Sequence, residues 1–82
     1  MIDVLYFARY RETLGIGQEQ LRWEPALGSV RLLRDLLVAR GDAWVVLDES
    51  RLMCARNQEM CSLDEPVFDG DEIAFFPPVT GG

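Results

Sequence analysis

Histidine and lysine are both absent from this 82-residue sequence, and each absence excludes a kind of chemistry. Without histidine the chain has no Ser-His-Asp triad, no imidazole metal ligand and no histidine general base. Without lysine it has no Schiff base and no P-loop lysine. The sequence therefore predicts an interaction protein, or a protein whose chemistry uses some other group.

Positive charge is also scarce. All eight basic residues are arginines, and fourteen acidic residues bring the formal net charge to −6. Nucleic acids and anionic membrane surfaces both require clustered positive charge. We therefore expect neither as a partner.

Cysteine and long apolar runs are equally limited. Cys54 and Cys61 are too few for a structural zinc or iron–sulfur site, which takes about four Cys or His ligands, so we predict no metal. No apolar run approaches the roughly 18 residues of a membrane span, and the first eight residues do not form a secretory signal. These features predict a cytoplasmic protein with two reduced thiols.

The apolar fraction, 49%, is sufficient for one small core. Residues 2–8 are rich in β-branched and aromatic side chains and predict a strand. Gly15 and Gly17 favour a loop over residues 9–17, and residues 18–24 predict a second strand. Asp69-Gly70-Asp71 is typical of a turn, and residues 72–76 predict the last strand.

The strongest helical signal begins at Ser29, a good N-cap, and ends near Gly41. Apolar residues follow the 3.6-residue period in this segment, with Arg40 continuing it, and we assign all four leucines to the core. The stripe comprises Val30, Leu32, Leu33, Leu36 and Leu37. Residues 42–47 predict one more helical turn.

Two short apolar runs, residues 52–56 and 59–63, predict a hairpin around Asn57-Gln58. That turn places Cys54 opposite Cys61 on a hydrogen-bonded rung, with Cα atoms about 5.5 Å apart. The distance permits a disulfide. Such rungs direct their side chains apart, however, so we predict free thiols.

The element order, two strands, a helix, a hairpin and a last strand, predicts an α+β fold. We expect a ubiquitin-like β-grasp roll with a mixed sheet of about five strands packed on one main helix. Residues 1–76 would form the domain, and residues 77–82 a flexible Gly-Gly tail, which we call the C-terminal arm.

The arm is the unusual part of the sequence. Glycine has no side chain, so Gly81-Gly82 can enter a channel too narrow for other residues. Pro77-Pro78 favours an extended start, and the six residues reach on the order of 20 Å. The alternative is a frayed terminus of small residues.

Several of these features together resemble the small subunits of molybdopterin synthase, a family of sulfur carriers in molybdenum-cofactor biosynthesis. The resemblance covers essentially the whole chain, but is weak in residue identity over residues 18–48. It rests on the opening residues 4–8, on Arg11-Glu12, on Asn57-Gln58 and on residues 69–72. The most specific match is the ending, Ala74-Phe75-Phe76-Pro77-Pro78-Val79-Thr80-Gly81-Gly82.

The resemblance implies a function for the carboxylate of Gly82. A partner adenylyltransferase would activate it with ATP and Mg²⁺, and a persulfide protein would supply sulfur to give a thiocarboxylate. The arm, from Pro77 through Val79, Thr80 and Gly81, would then enter the large subunit and donate sulfur to cyclic pyranopterin monophosphate. The family forms a heterotetramer, and this chain would bind no cofactor and have no activity alone.

The resemblance also implies a docking surface. The helix covers only one face of the sheet, and Phe7, Met60 and Phe76 are expected on the open face that binds both partners, with Arg11 at its rim. The alternative is that these residues pack beneath loops as a second core.

Two other functional classes remain open at this point. One is a related Gly-Gly sulfur carrier for thiamine or tRNA thiolation. The other is a ubiquitin-like protein modifier or a plain binding module. The double proline before the terminal glycines favours the molybdopterin carrier, since a thiamine carrier is not expected to have it.

Overall fold

A computed structural model describes residues 1–78 of the chain. The predictions for Val79, Thr80, Gly81 and Gly82 therefore lie outside the described residues. The strands are β1 (Ile2–Tyr6), β2 (Gln18–Leu21), β3 (Met53–Arg56), β4 (Glu59–Cys61) and β5 (Glu72–Phe76). The helices are α1 (Ala8–Leu14) and α2 (Val30–Val38), with 3₁₀ segments at Pro25–Leu27 and Asp42–Leu47.

The five strands form one mixed sheet in the order β2-β1-β5-β3-β4. The last strand, β5, is central: it pairs in parallel with β1, where Val4 faces Ile73, and antiparallel with β3, where Cys54 faces Phe75. This is the predicted β-grasp arrangement. The arm therefore begins at the C-terminal end of the central strand.

Helix α2 covers one face of this sheet. The hydroxyl of Ser29 accepts a hydrogen bond from the Leu32 amide, so the predicted N-cap is confirmed. Alternate residues of the strands point toward the helix and are fully buried. Together with the helix they form the core, which includes Ile2, Val4, Tyr6, Val30, Leu33, Leu37, Ile73 and Phe75.

Two of the four helix leucines are not core residues. Leu33 and Leu37 are fully buried, whereas Leu32 and Leu36 are 47% and 44% exposed. The apolar stripe is wider than the face of α2 that reaches the sheet. The prediction that all four leucines are buried was therefore wrong.

The predicted loop over residues 9–17 was also wrong, because this segment contains helix α1. The strand ends at Tyr6 and the helix begins at Ala8, which has a positive φ of 53°. Gly15 is the left-handed C-cap of α1, with a φ of 76°. The glycine that favoured a loop in fact ends a helix.

The hairpin was predicted correctly. Asn57 and Gln58 have φ values of 50° and 70°, as a tight type I′ turn requires. Cys54 faces Cys61, and both are free thiols with their sulfurs 3.8 Å apart. A disulfide needs about 2.05 Å between sulfurs. The rung does not direct the two side chains as far apart as expected.

A polar network fixes this hairpin to the turn before β5. The buried Asp71 carboxylate accepts hydrogen bonds from Arg56 Nε at 2.8 Å, Asn57 Nδ2 at 3.0 Å and the Phe68 amide at 2.8 Å. Arg56 also pairs with Glu65 at 3.1 Å. The predicted turn at residues 69–71 thus supports the edge of the sheet.

A second network connects β1, β2 and the segment that follows α2. The buried Tyr6 hydroxyl donates to Glu19 at 2.7 Å, and both terminal nitrogens of Arg40 donate to the same carboxylate at 2.9 Å. The guanidinium of Arg40 also lies 4.3 Å from the ring centre of Trp44. A similar group joins Tyr10 and Arg9 to Glu49.

Within residues 1–78, no helix has the length and apolarity needed to span a membrane.

Candidate docking face and root of the C-terminal arm

The face of the sheet opposite α2 carries a row of apolar side chains. The register places Leu5 beside Ala74, Ala74 beside Ala55, and Ala55 beside Met60, across four neighbouring strands. The two central residues are alanines with small side chains, so the surface of the sheet is recessed at the centre of the row. A shallow cleft of about 320 Å³ lies there, closed at one end by Phe7 and Phe76.

Phe7 and Phe76 form one stacked aromatic pair. Their ring centres are 4.7 Å apart and their planes differ by 6°. Phe76 ends β5, whereas Phe7 lies between β1 and α1 and its amide donates to the Phe75 carbonyl at 3.2 Å. Phe7 is 39% exposed, far more than a core aromatic such as Phe75. We call the row, this pair and neighbouring Met53 the docking face.

Of the four residues predicted to bind partners, three lie on this face. Met60 is 57% exposed and lies on the edge strand β4, at the other end of the apolar row from Leu5. Phe7 and Phe76 are in direct contact, whereas Met60 reaches them only across the cleft. These exposures are unlike those of a second core beneath loops.

Arg11 is set apart from the other three. It is exposed on α1, and its side chain lies across Gly17, where an added Cβ would be 3.1 Å from Nε. With Phe7 and Ile16 it lines a separate groove beside the docking face. A role for Arg11 in partner binding stays a prediction.

The sequence argument missed four members of the docking face. They are Leu5, Met53, Ala55 and Ala74. The strand alternation was a usable signal for Leu5 and Ala74, because both lie out of phase with the buried Val4 and Ile73. The alternation in β3 was too short to identify Ala55.

The root of the arm adjoins this face. Pro77 and Pro78 follow β5 directly and are half-buried. Proline restricts the backbone, so the chain leaves the sheet in a defined direction next to the stacked aromatic pair. A protein that covers the docking face would therefore lie close to the beginning of the arm.

The shifted pKa values of several titratable groups follow from burial and from hydrogen bonds within the fold. Burial raises the pKa of the Cys54 thiol to about 12, so this thiol is protonated and a poor nucleophile. Burial opposes ionisation of Glu19 and Asp71, but hydrogen bonds from Arg40 and Tyr6, and from Arg56, lower the pKa of each carboxyl. Among residues 1–78 no cluster of three His, Cys, Asp or Glu side chains could hold a metal ion.

Comparison with curated proteins gives full-length relatives. The chain is 43% identical over 83 aligned positions to the molybdopterin synthase sulfur carrier subunit of Escherichia coli (strain K12), with all of both chains covered. It has the same identity and coverage with the molybdopterin synthase sulfur carrier subunit of Haemophilus influenzae.

Solved structures give the same fold. SAMP1 from Haloferax volcanii is 27% identical with a TM-score of 0.75, covering 99% of this chain and 98% of that one. A putative molybdopterin converting factor subunit 1 from Pyrococcus furiosus is 28% identical with a TM-score of 0.75, covering 95% and 97%. At 23% identity, a chain from the complex of subunits 1 and 2 of molybdopterin-converting factor from Helicobacter pylori shares the fold, with a TM-score of 0.65 over 99% and 97%.

The ThiS family profile matches residues 4–82, which is nearly the entire chain and includes both the sheet and the arm. The relatives agree with this match over their full lengths. The chain therefore belongs to the ThiS family and is similar over its full length to the molybdopterin synthase sulfur carrier subunits of two bacteria.

Proposed function

We propose that this chain carries sulfur for molybdenum-cofactor biosynthesis on the carboxylate of Gly82. The observation that supports this most strongly is the junction of β5 with the arm. The central strand of the sheet runs directly into Pro77-Pro78 beside the exposed Phe7–Phe76 pair. A partner bound to the docking face would be adjacent to an extended arm of up to about 20 Å.

Activation of the carboxylate requires a partner enzyme. A carboxylate is a poor electrophile, because its charge is delocalised and it has no good leaving group. An adenylyltransferase would bind ATP and Mg²⁺ and transfer AMP to Gly82 with release of pyrophosphate. The terminal sulfur of a persulfide protein would then displace AMP, and a thiol would cleave the resulting S–S bond to leave a thiocarboxylate.

Sulfur transfer takes place in a second partner, the large subunit of molybdopterin synthase. Gly81 would pass through a narrow channel there, and the Gly82 thiocarboxylate would attack cyclic pyranopterin monophosphate. The large subunit would supply the acid–base groups, which fits the absence of histidine and lysine from this chain. The small subunit is a recycled reactant in a cytoplasmic heterotetramer of two small and two large chains, and would have no activity alone.

Removal of the terminal glycine tests this proposal. We expect a chain ending at Gly81 to fold normally but to fail to restore molybdoenzyme activity in a strain lacking the small subunit. A Gly81→Trp variant should accept AMP poorly or stall at the large subunit. Normal complementation by the shortened chain would contradict the proposal, provided that its thermal unfolding matches that of the full chain.

A second candidate is a protein modifier. It is favoured by the likeness of this chain to SAMP1 and to a second solved structure, 26% identical with a TM-score of 0.74, that is named H. volcanii small archaeal modifier protein 1. A modifier would form isopeptide bonds to lysines of other proteins, and a carrier for thiamine or tRNA thiolation would leave molybdoenzyme activity unrestored. Complementation together with a search for isopeptide-linked adducts therefore separates the three functions.

A further inference from the structure

Among residues 1–78, three arginines differ from the other five because they form no ion pair with an acidic side chain. Arg9, Arg31, Arg34, Arg40 and Arg56 each form an ion pair with a carboxylate. Within the part of the chain that the structure describes, the side chains of Arg11, Arg22 and Arg51 form none. All three are exposed, although acidic residues outnumber basic ones by fourteen to eight.

Two of these arginines lie at the end of the sheet from which the arm emerges. Arg11 is on α1, which follows β1, and β1 is one neighbour of β5. Arg51 is in a hydrogen-bonded turn, Glu49–Leu52, that precedes β3, the other neighbour of β5. Because Met53 pairs with Phe76, this turn lies beside the point where β5 ends.

Arg22 is at the opposite end of the sheet. It follows Leu21, which pairs with Ile2 at the beginning of β1. Near Arg51, the Glu49 carboxylate is already held by Arg9 and Tyr10. Exposed acidic residues, Glu12 and Asp48, are also present at the arm end, but neither forms an ion pair with Arg11 or Arg51 in the described residues.

We propose that Arg11 and Arg51 bracket the root of the arm and bind acidic side chains at the mouth of the partner channel that receives it. The inference rests on the proposed function, and it adds Arg51 and a charge preference to the apolar docking face. Guanidinium groups suit this role because they form paired hydrogen bonds with carboxylates and remain charged at all physiological pH values.

Charged groups around an apolar contact mainly increase the rate of association and select the correct orientation. For this chain the orientation matters, because the arm must be aligned with the channel before the docking face closes on the partner. The two arginines lie on opposite sides of β5 and would fix the rotation of the chain about the arm. An acidic channel mouth would also repel other surfaces of this acidic protein.

Charge reversal at each of these three arginines tests the inference. Arg11→Glu, Arg51→Glu and Arg22→Glu all change the net charge equally, so Arg22→Glu is the matched control for general repulsion. Binding to the large synthase subunit from the same organism is measured by stopped-flow fluorescence at low and high salt. We expect Arg51→Glu and Arg11→Glu to slow association about 10-fold at low salt, and Arg22→Glu about 2-fold or less.

High salt should reduce the differences among the variants, because exposed charges are then screened. The thermal unfolding temperature of each variant should equal that of the wild-type chain. If Arg51→Glu unfolds the chain, Arg51→Gln is used in its place. Equal effects of Arg51→Glu and Arg22→Glu would contradict this inference and leave the proposed function intact. Absence of binding by the wild-type chain would contradict the proposed function itself.

Discussion

Phe7 stacks on Phe76 in parallel, with ring centres 4.7 Å apart, although the two residues are 69 positions apart in the chain. The contact joins the corner between β1 and α1 to the last residue of β5. It leaves an exposed aromatic surface immediately before Pro77. A partner bound to this aromatic surface would therefore lie beside the start of the arm.

Phe7→Ala should weaken partner binding far more than it lowers stability. A buried aromatic anchor contributes about 2 kcal/mol or more to an interface, which is about 30-fold in Kd. The ring is 39% exposed in the free chain, and loss of an aromatic pair costs only about 1 kcal/mol of folding free energy. Titration calorimetry with the large subunit, together with thermal unfolding, measures both effects.

Phe68→Ala is the matched control for Phe7→Ala. Phe68 is 55% exposed but stacks on Arg56, away from the docking face. We expect this variant to bind the partner normally. Equal losses of affinity in the two variants, or a Phe7→Ala defect fully explained by unfolding, would contradict the assignment of the face.

Gln58→Gly should make the protein more stable. Gln58 has a φ of 70°, and a left-handed conformation costs a residue with a side chain roughly 1–2 kcal/mol. Glycine is preferred at this second position of a type I′ turn. Urea unfolding should show a higher midpoint with an unchanged m-value. The Gln58→Ala variant should show no gain, and a lower midpoint for Gln58→Gly would contradict the turn assignment.

Asp71→Asn should destabilise the fold in a pH-dependent way. Burial opposes ionisation, but hydrogen bonds from Arg56, the Phe68 amide and Asn57 hold the pKa of Asp71 below its ordinary value of 3.8. A lowered folded pKa means that the carboxylate stabilises the fold above pH 3.8, and that this contribution is lost as pH falls through the folded pKa.

At neutral pH we expect Asp71→Asn to cost about 2 kcal/mol of unfolding free energy, since hydrogen bonds to a charged group are lost. The difference from wild type should shrink in strongly acidic solution. Urea unfolding at several pH values measures this trend. A difference that is constant with pH would contradict a role for the ionised carboxylate.

The two tyrosines should not ionise while the protein is folded. Burial, followed by a hydrogen bond to Glu19 or Glu49, raises the pKa of both Tyr6 and Tyr10 well above 10.0. Because the pKa is raised in the folded state, the protonated hydroxyls contribute stability that is fully present below pH 10. This contribution is lost as the pH rises through the folded pKa. Ultraviolet absorbance should therefore show tyrosinate only together with unfolding. Ordinary titration near pH 10 in the folded protein would contradict these contacts.

The sequence predicted the sheet better than it predicted the first helix. Alternation in residues 2–6 and the N-cap of α2 at Ser29 are local signals, and both were confirmed. The predicted C-terminal glycine of α2 was wrong, because the helix ends at Val38 with Ala39 as its C-cap and Gly41 precedes the next 3₁₀ segment. Helix α1 has no side-chain cap at Phe7 and begins at a residue with positive φ, so its start has no sequence signature. Its end is marked by Gly15. A single glycine is equally typical of a helix C-cap and of a loop, so the sequence alone did not identify the helix.

The extent of burial could not be derived from periodicity. Leu32 and Leu36 share the helical stripe with Leu33 and Leu37, but only Leu33 and Leu37 are buried against the sheet, whereas the other two are exposed. In the same way, Leu5 and Ala74 become one surface with Ala55 only through strand pairing between distant segments. Pairing order depends on tertiary contacts, which a single sequence does not specify.

The central claim is that the carboxylate of Gly82 carries sulfur. Mass spectrometry of the intact protein, incubated with its adenylyltransferase, ATP, Mg²⁺ and a persulfide donor, tests it most directly. The account predicts a mass increase equal to the replacement of one oxygen by one sulfur, located at Gly82 and absent from a chain that ends at Gly81. An unchanged mass with an active adenylyltransferase, or the addition of one sulfur atom at Cys54 or Cys61 while Gly82 stays unmodified, would contradict it.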